Sequence, residues 1–300
     1  MKKTVGFIGL GLMGKPMAEQ FLTAGYQVVA FDRAAERLQE LVELGAEPAT
    51  SPKDVADRAR VVIGSLPHGT ASRAVTMSAH GILNGRLCKY YIETSTIGVR
   101  ASRQISERLA LAGIIFVDAP VSGGPRAVRE RSLTAMISAA ANVITELDDW
   151  FLILCKRRFV VGTEAGLAQA CKLVNNAISL STLQIAAETV VFGVKAGLDA
   201  KILIDAINSS SGQSATTLKK FPVSILTRRF DYGASLETGA KDMDLFIEEA
   251  REMGLLLEST PAIADSWRAA SQAGPALDFT EIIKRFEAVA NVEVGEQAAD

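Results

Sequence analysis

The stretch from Gly162 to Leu198 constrains this chain more than any other, because it carries no proline and is rich in alanine and leucine. It predicts one helix from about Ala165 to Ala196, which at ~1.5 Å per residue reaches about 45 Å, longer than a small domain is wide. Most of its faces are apolar, so burial on several sides is expected. One narrow stripe differs. Gln169, Lys172, Asn176 and Ser179 fall within about 60° of one line, with Asn175 flanking it. Two readings stay open from the residues alone. The stripe is a solvated seam with Lys172 snorkelling outward, or it presents an amine and amides to a cleft between two domains.

Length and composition narrow the choice. Three hundred residues, 48% of them apolar, suffice for one large domain or two ordinary ones with a sizeable core. A net charge of −2 gives no basic nucleic-acid surface. Cys88, Cys155 and Cys171 are odd in number and lack disulfide or zinc spacing, so reduced thiols are expected. With His68 and His80 the only histidines, a histidine triad, a metal site or a histidine proton relay is disfavoured, and no metal is expected. The apolar N-terminal run superficially mimics a signal peptide but is broken by Gly6, Gly9, Gly11 and Gly14. Gln184, Glu188 and Lys195 interrupt the long helix, so no membrane span is predicted, and a cytoplasmic protein is expected.

The first half alternates strand and helix. Thr4 to Ile8 reads as a buried strand running into Gly9-Leu-Gly11-Leu-Met-Gly14, followed by a helix from about Met13 to Ala24 and a second strand, Gln27 to Phe31, ending at Asp32. This is a dinucleotide-binding arrangement. The first glycine permits the tight turn, the second lets backbone approach a pyrophosphate, and the third lets helix pack on strand; the anion sits at the positive helix end. A carboxylate at Asp32 suits the ribose hydroxyls and repels a 2′-phosphate, whereas Arg33 would attract one; NAD is favoured over NADP. Gly9, Gly11, Leu12, Met13, Gly14, Asp32 and Arg33 are therefore cofactor-site candidates.

Further elements follow: a helix over Ala34–Leu44, strands at Arg60–Leu66 and Lys89–Glu93, a helix to about Ala112, and a strand at Ile114–Asp118. Leu133–Ser138 and Phe159–Val161 offer more strands, with a helix near Asn142–Leu152 between them. Such alternation predicts a parallel, doubly wound sheet with ligands at the carboxyl ends of its strands. Those ends carry Leu66-Pro67, Ser95-Thr96 and Ser122-Gly123-Gly124, the last offering a hydroxyl and unhindered N–H groups to a carboxylate. After Leu198 the chain reads as all-helical. Asp199 caps a helix to Asn208; others run over Lys241–Met253, from Thr260-Pro261, and from Asp278 with Glu281 as a capping pair, before a frayed polar tail over Asn291–Asp300. The expected fold is α/β: an N-terminal Rossmann domain with a doubly wound sheet (1–163), then an all-α C-terminal domain (164–300) for substrate and oligomerisation, joined by the long helix. That architecture favours the cleft reading of the stripe.

Four stretches together resemble the β-hydroxyacid dehydrogenase family, which includes 3-hydroxyisobutyrate, tartronate semialdehyde and threonate-type enzymes. They are Gly9-Leu-Gly-Leu-Met-Gly14 with Pro16-Met17-Ala18, Asp118-Ala-Pro-Val-Ser-Gly-Gly124, Lys172-Leu-Val-Asn-Asn176 and Lys241-Asp242-Met-Asp-Leu245. The resemblance implies Lys172 as catalytic acid–base, Asn176 beside the substrate, and Ser122, Gly123 and Gly124 on the substrate carboxylate. It places Leu66, Pro67 and Thr96 along the cofactor, with Lys241 approaching it, and implies a homodimer or homotetramer. Arg131-Ser132-Leu133 departs from the family's Gly-Thr-Leu turn, Ser138-Ala139 from its glycine pair, and Asp149–Arg158 from its usual composition. Glycine loss costs stability where φ must be positive.

The function implied is NAD(P)-dependent interconversion of a small β-hydroxy acid and its aldehyde or ketone. Lysine is a poor base at neutral pH unless burial or a positive charge lowers its pKa, so oxidation is expected to speed up towards alkaline pH. A physiological semialdehyde reductase and a non-catalytic nucleotide-binding protein of the same fold are the alternatives. No nucleic-acid or membrane partner is expected.

Overall fold

The structure, a computed structural model, describes residues 3–295. The chain divides into two compact units, Met1–Lys172 and Leu173–Asp300, and the division falls inside the long helix, Leu167–Lys195. That helix begins and ends close to the predicted residues.

Among the described residues the first unit is built on nine strands: β1 (Thr4–Ile8), β2 (Gln27–Phe31), β3 (Glu47–Pro48), β4 (Val61–Gly64), β5 (Tyr90–Glu93), β6 (Ile115–Asp118), β7 (Val121–Ser122), β8 (Leu133–Ser138) and β9 (Cys155–Gly162). They lie in the order β3-β2-β1-β4-β5-β6-β8-β7, with β9 on β8. From β3 to β6 every pairing is parallel. The strand order reverses between β1 and β4, the crevice where ligands bind in doubly wound sheets. The interior strands are near-continuous apolar runs because helices cover both faces. Phe7, Ile63 and Val117 point to one core with Phe21 and Leu41, and Ile8, Val62 and Phe116 to the other with Val55 and Ile105.

Beyond β6 the sheet is mixed. The chain turns back through β7 and the short helix Gly124–Arg129, so β8 runs antiparallel to both β6 and β7, while β9 is parallel to β8. Two predicted elements change here. The helix expected over Asn142–Leu152 is two helices, Ala141–Glu146 and Asp148–Leu154, broken at the buried Leu147. The strand expected at Phe159 begins at Cys155, where pairing with Leu133 captures it. The unusual segment before the long helix has a packing role: Trp150 stacks 5.7 Å from Phe21 and edge-on 4.9 Å from Tyr26.

The second unit is helical around the fully buried Trp267 and Phe221. Asp199 caps Ala200–Asn208, accepting the Ile202 N–H at 2.8 Å as predicted. The helix predicted from Lys241 begins at Leu236, capped by Ser235, and runs to Glu252, so Lys241 lies inside it. Gly239 is the fourth residue of this helix, and a Cβ there would stand 2.7 Å from the Trp267 ring: the glycine admits the indole. Thr260–Ala273 follows, with Pro261 in its first turn. Asp278 opens a short 3₁₀ turn, Phe279–Ile282, accepting the Thr280 N–H at 3.0 Å, and Ile283–Ala290 continues from it. A π-helix over Thr216–Ile225 has no counterpart in the sequence expectation. Its wider turn, with Leu226 N–H donating to Phe221 carbonyl five residues back at 2.9 Å, accommodates Pro222. The predicted tail is docked at its start: Val294 is buried, its N–H donating to Glu287 at 2.8 Å and its carbonyl accepting from Arg228 at 3.1 Å. Residues 296–300 of it lie outside the described residues.

By length and composition alone the long helix would also reach across a membrane, with mean hydropathy 1.5 and half of that window buried. Its three polar interruptions leave a window apolar enough, contrary to the sequence expectation. Buried core helices meet the same test, and Leu180, Leu183, Ala187 and Val190 pack in the second unit's core.

Candidate active site

At the crevice between β1 and β4 the glycine turn is built as its spacing predicts. Gly9 has φ +89° and its N–H donates to Phe31 carbonyl at 3.0 Å; a Cβ there would stand 2.2 Å from Ser65 carbonyl oxygen. A Cβ on Gly14 would meet Gly9 carbonyl oxygen at 1.9 Å, so the third glycine lets the helix Gly14–Thr23 close onto the turn. Gly11 faces open space, its nearest neighbour being Arg37 at 3.9 Å. That combination of tight packing behind and open backbone in front fits a pyrophosphate. Leu12 is exposed, and Met13 packs partly against the core. Asp32 holds the turn to the end of β2, accepting the Leu10 N–H at 2.6 Å and the Ala34 N–H at 2.8 Å. Arg33 is exposed. Arg37, in the helix Ala35–Glu43, is exposed beside the same turn.

After β4, Leu66 is half-buried and Pro67 exposed. The Leu66 N–H donates to Ser95 Oγ at 2.6 Å, tying this turn to the segment that follows β5 and carries Thr96. Ser95 is in turn held by Glu93, fully buried, whose carboxylate accepts the Ser95 N–H at 3.0 Å and the Tyr91 hydroxyl at 2.9 Å. Burial pushes the Glu93 pKa up, against the lowering effect of these bonds. Sequence reasoning treated Glu93 as the end of a strand.

Ser122 pairs with Thr134 in the β7–β8 ladder. Gly123 takes φ +136° and Gly124 φ +68°, backbone that a side chain would strain; Gly124 also faces open space. At the start of the long helix, Lys172 is buried, 7% exposed. One turn before it, Gln169 is fully buried, not a solvated seam residue. Its amide oxygen accepts the N–H groups of Ile97 at 2.8 Å and Gly98 at 3.2 Å. Its amide nitrogen donates to Ser95 carbonyl at 3.1 Å and to Asp118 Oδ1 at 2.7 Å. Asp118 Oδ2 accepts the Gly166 N–H at 2.9 Å and the Ser102 hydroxyl at 3.0 Å.

In the second unit the stripe is also engaged. Asn176 donates to Asp242 Oδ2 at 2.6 Å, and Lys241 pairs with Asp242 Oδ1 at 2.9 Å, so two motif residues meet on one carboxylate. Asn175 donates to Asn176 at 3.1 Å. Ser179 accepts from Lys220 Nζ at 2.9 Å. Lys220 is 5% exposed, and burial lowers its pKa to about 8. Among the described residues, no group of three or more His, Cys, Asp or Glu could hold a metal ion.

Comparison with known proteins agrees with this arrangement. A family model described as the NAD binding domain of 6-phosphogluconate dehydrogenase matches residues 4–162. A second, the NAD-binding region of NADP-dependent 3-hydroxyisobutyrate dehydrogenase, matches 166–286. The chain is 30% identical to 2-(hydroxymethyl)glutarate dehydrogenase of Eubacterium barkeri over 97% of each chain. It is 36% identical to the mitochondrial 3-hydroxyisobutyrate dehydrogenase of Rattus norvegicus over 71% of this chain, spanning 63% of that protein's length. The 3-hydroxyisobutyrate dehydrogenase of Mycobacterium tuberculosis, solved with L-serine, superposes with a TM-score of 0.86 at 27% identity, covering 95% of this chain and 99% of that one.

Proposed function

This chain belongs to the β-hydroxyacid dehydrogenase family, and from that premise we propose how its residues carry the reaction. It is an NAD(P)-dependent oxidoreductase of small β-hydroxy acids. A bound nicotinamide coenzyme supplies the hydride acceptor in oxidation and the donor in reduction. Lys172 Nζ takes the hydroxyl proton as the carbinol carbon becomes a carbonyl, and its ammonium returns that proton in reduction. Ser122 with the N–H groups of Gly123 and Gly124 takes the substrate carboxylate. Asn176 and Lys241 keep the substrate and cofactor roles implied by the resemblance. Leu66, Pro67 and Thr96 line the coenzyme.

The observation that carries this reading is Lys172 itself, a lysine only 7% exposed on the long helix, one turn beyond an anchored glutamine. NAD is the favoured coenzyme, on the Asp32 carboxylate at the end of β2; Arg33 and Arg37 are the residues that would favour NADP. A homodimer or homotetramer is part of the same reading, supported by the exposed Val174, Ile178, Ile185 and Phe192 recurring along the long helix. A cytoplasmic location is supported by the free Cys88, Cys155 and Cys171.

The test is formation of NADH or NADPH at alkaline pH with 3-hydroxyisobutyrate, L-threonate and 2-(hydroxymethyl)glutarate, with Lys172→Ala beside the parent. Turnover in the variant is expected to fall by ~10²–10⁴. Equal turnover in both proteins removes the acid–base role from Lys172. Higher kcat/KM with NADP⁺ than with NAD⁺ reverses the coenzyme preference.

A further inference from the structure

Asp118 and Gln169 take no part in the reaction described above, yet both are fully buried and multiply hydrogen-bonded. An amide side chain has two donor hydrogens and an oxygen with two lone pairs. Gln169 uses all of them: Ile97 and Gly98 N–H on the oxygen, Ser95 carbonyl and Asp118 carboxylate on the nitrogen. Gly98 precedes the helix Val99–Ala110, whose own side chains do not cap it. Gln169 thus satisfies N–H groups at that helix start from a position about 70 residues away in sequence, consistent with the rule that buried backbone donors find partners.

Asp118 completes the clamp. Its second oxygen takes the N–H of Gly166, the residue before the long helix, and the hydroxyl of Ser102 inside Val99–Ala110. Gly166 has φ +95°, and a Cβ there would stand 2.8 Å from Val99 Cγ1 and 3.2 Å from its carbonyl oxygen, so the two helix starts leave no room for a side chain between them. The segment gripped by Gln169, Ser95–Gly98, carries Thr96, and through Ser95 it holds Leu66. Lys172 is three residues beyond Gln169 on the same helix.

We propose that Asp118 and Gln169 are positioning residues: together they fix the turn that bears Lys172 in register with the strand-end segment that bears Thr96. The proposal rests on the acid–base reading of Lys172. Displacement of a reacting group by about an ångström costs on the order of 10²-fold in rate without weakening substrate binding in proportion.

The test is a polarity swap, assayed as NAD⁺ reduction with 3-hydroxyisobutyrate, L-threonate or 2-(hydroxymethyl)glutarate. Gln169→Glu keeps the bonds to Ile97 and Gly98 N–H but loses both donors, setting a carboxyl against Asp118 and against the Ser95 carbonyl. Its kcat is expected to fall about 10- to 100-fold with KM within about threefold of the parent. Adding Asp118→Asn lets the new amide donate to the carboxylate introduced by Gln169→Glu, while the oxygen of that amide still accepts from Gly166 and Ser102. The double variant regains the contact at 118 but not the bond to the Ser95 carbonyl, so a partial rescue is expected, kcat at least about threefold above that of Gln169→Glu, which lost stability alone does not predict. If Gln169→Glu does not fold, Gln169→Met takes its place, with the same kcat loss expected at near-parent KM. Parent-like kcat in a folded Gln169 variant overturns the proposal, as does a double variant as thermally stable as the parent but no faster than Gln169→Glu. Lys172→Ala is run alongside. Parent-like turnover there removes the acid–base reading itself, whereas inactivity of Lys172→Ala with parent-like Gln169 variants removes only the positioning role.

Discussion

Two buried charged side chains, Asp118 in the first unit and Lys220 in the second, are held in opposite ways. In the first, Asp118 is wholly enclosed but meets an amide N–H, a backbone N–H and a hydroxyl, all between 2.7 and 3.0 Å. In the second, Lys220 has two hydroxyls, Ser179 at 2.9 Å and Thr216 at 3.2 Å, and the Phe279 ring 5.5 Å away. Burial raises the Asp118 pKa while three bonds resist it; for Lys220 burial is the one cause of a fall to about 8. The difference shows what backbone supplies. A carboxylate at a strand end finds fixed N–H donors, whereas an ammonium among helices, whose carbonyls are already bonded, depends on hydroxyls. The first arrangement anchors; the second costs stability.

The sharpest break of this contrast is Asp118→Ala, which orphans the Gly166 N–H, the Ser102 hydroxyl and one Gln169 donor. At about 1–3 kcal/mol per buried unsatisfied group, a loss of about 3–5 kcal/mol is expected in urea unfolding monitored by circular dichroism. A loss under about 1 kcal/mol would mean the clamp is not holding the helix start. Lys220→Met is expected to go the other way, gaining about 1–3 kcal/mol at pH 7, because an apolar chain of similar length replaces a desolvated charge. The pH dependence has a definite sign. Lys220 has a folded pKa of about 8 against 10.5 unfolded, so the unfolded state binds the extra proton between those values. Parent stability from this group should therefore rise as pH climbs from about 8 towards 10.5, approaching on the order of 3 kcal/mol, and Lys220→Met should lack that rise. A variant less stable than the parent at every pH would show that the ammonium is net favourable where it sits.

The smallest effect concerns backbone rather than charge. Arg131 takes φ +50° at the turn before β8, where the family resemblance leads one to expect glycine. Its guanidinium Nε reaches Gln20 at 2.6 Å on the surface, a bond of little worth in water. Arg131→Gly should gain about 0.5–1 kcal/mol, read as a small rise in Tm, since glycine adopts this backbone without steric cost.

Local rules made much of the chain readable. The glycine turn, β1, β2, the Asp199 cap and the long helix follow from periodicity, caps and steric need over a few residues, and they appear where the sequence puts them. The four motif stretches made the candidate site residues legible through resemblance. What stayed hidden depends on contacts distant in sequence. The place of Gly239 in a helix is explained only by Trp267 lying against it. Leu147 splits a continuous helical pattern because its backbone, at φ −100° and ψ 7°, leaves helical geometry. Pro222 is tolerated because the turn around it widens. Gln169 reads from sequence as one more polar residue on a stripe, and Glu93 as a strand end; only folding surrounds them with donors and acceptors. Short-range sterics and periodicity determined the elements and the fold class. The tertiary structure decided which polar groups are satisfied, because a buried hydrogen bond needs a partner within about 3 Å that the sequence alone cannot locate.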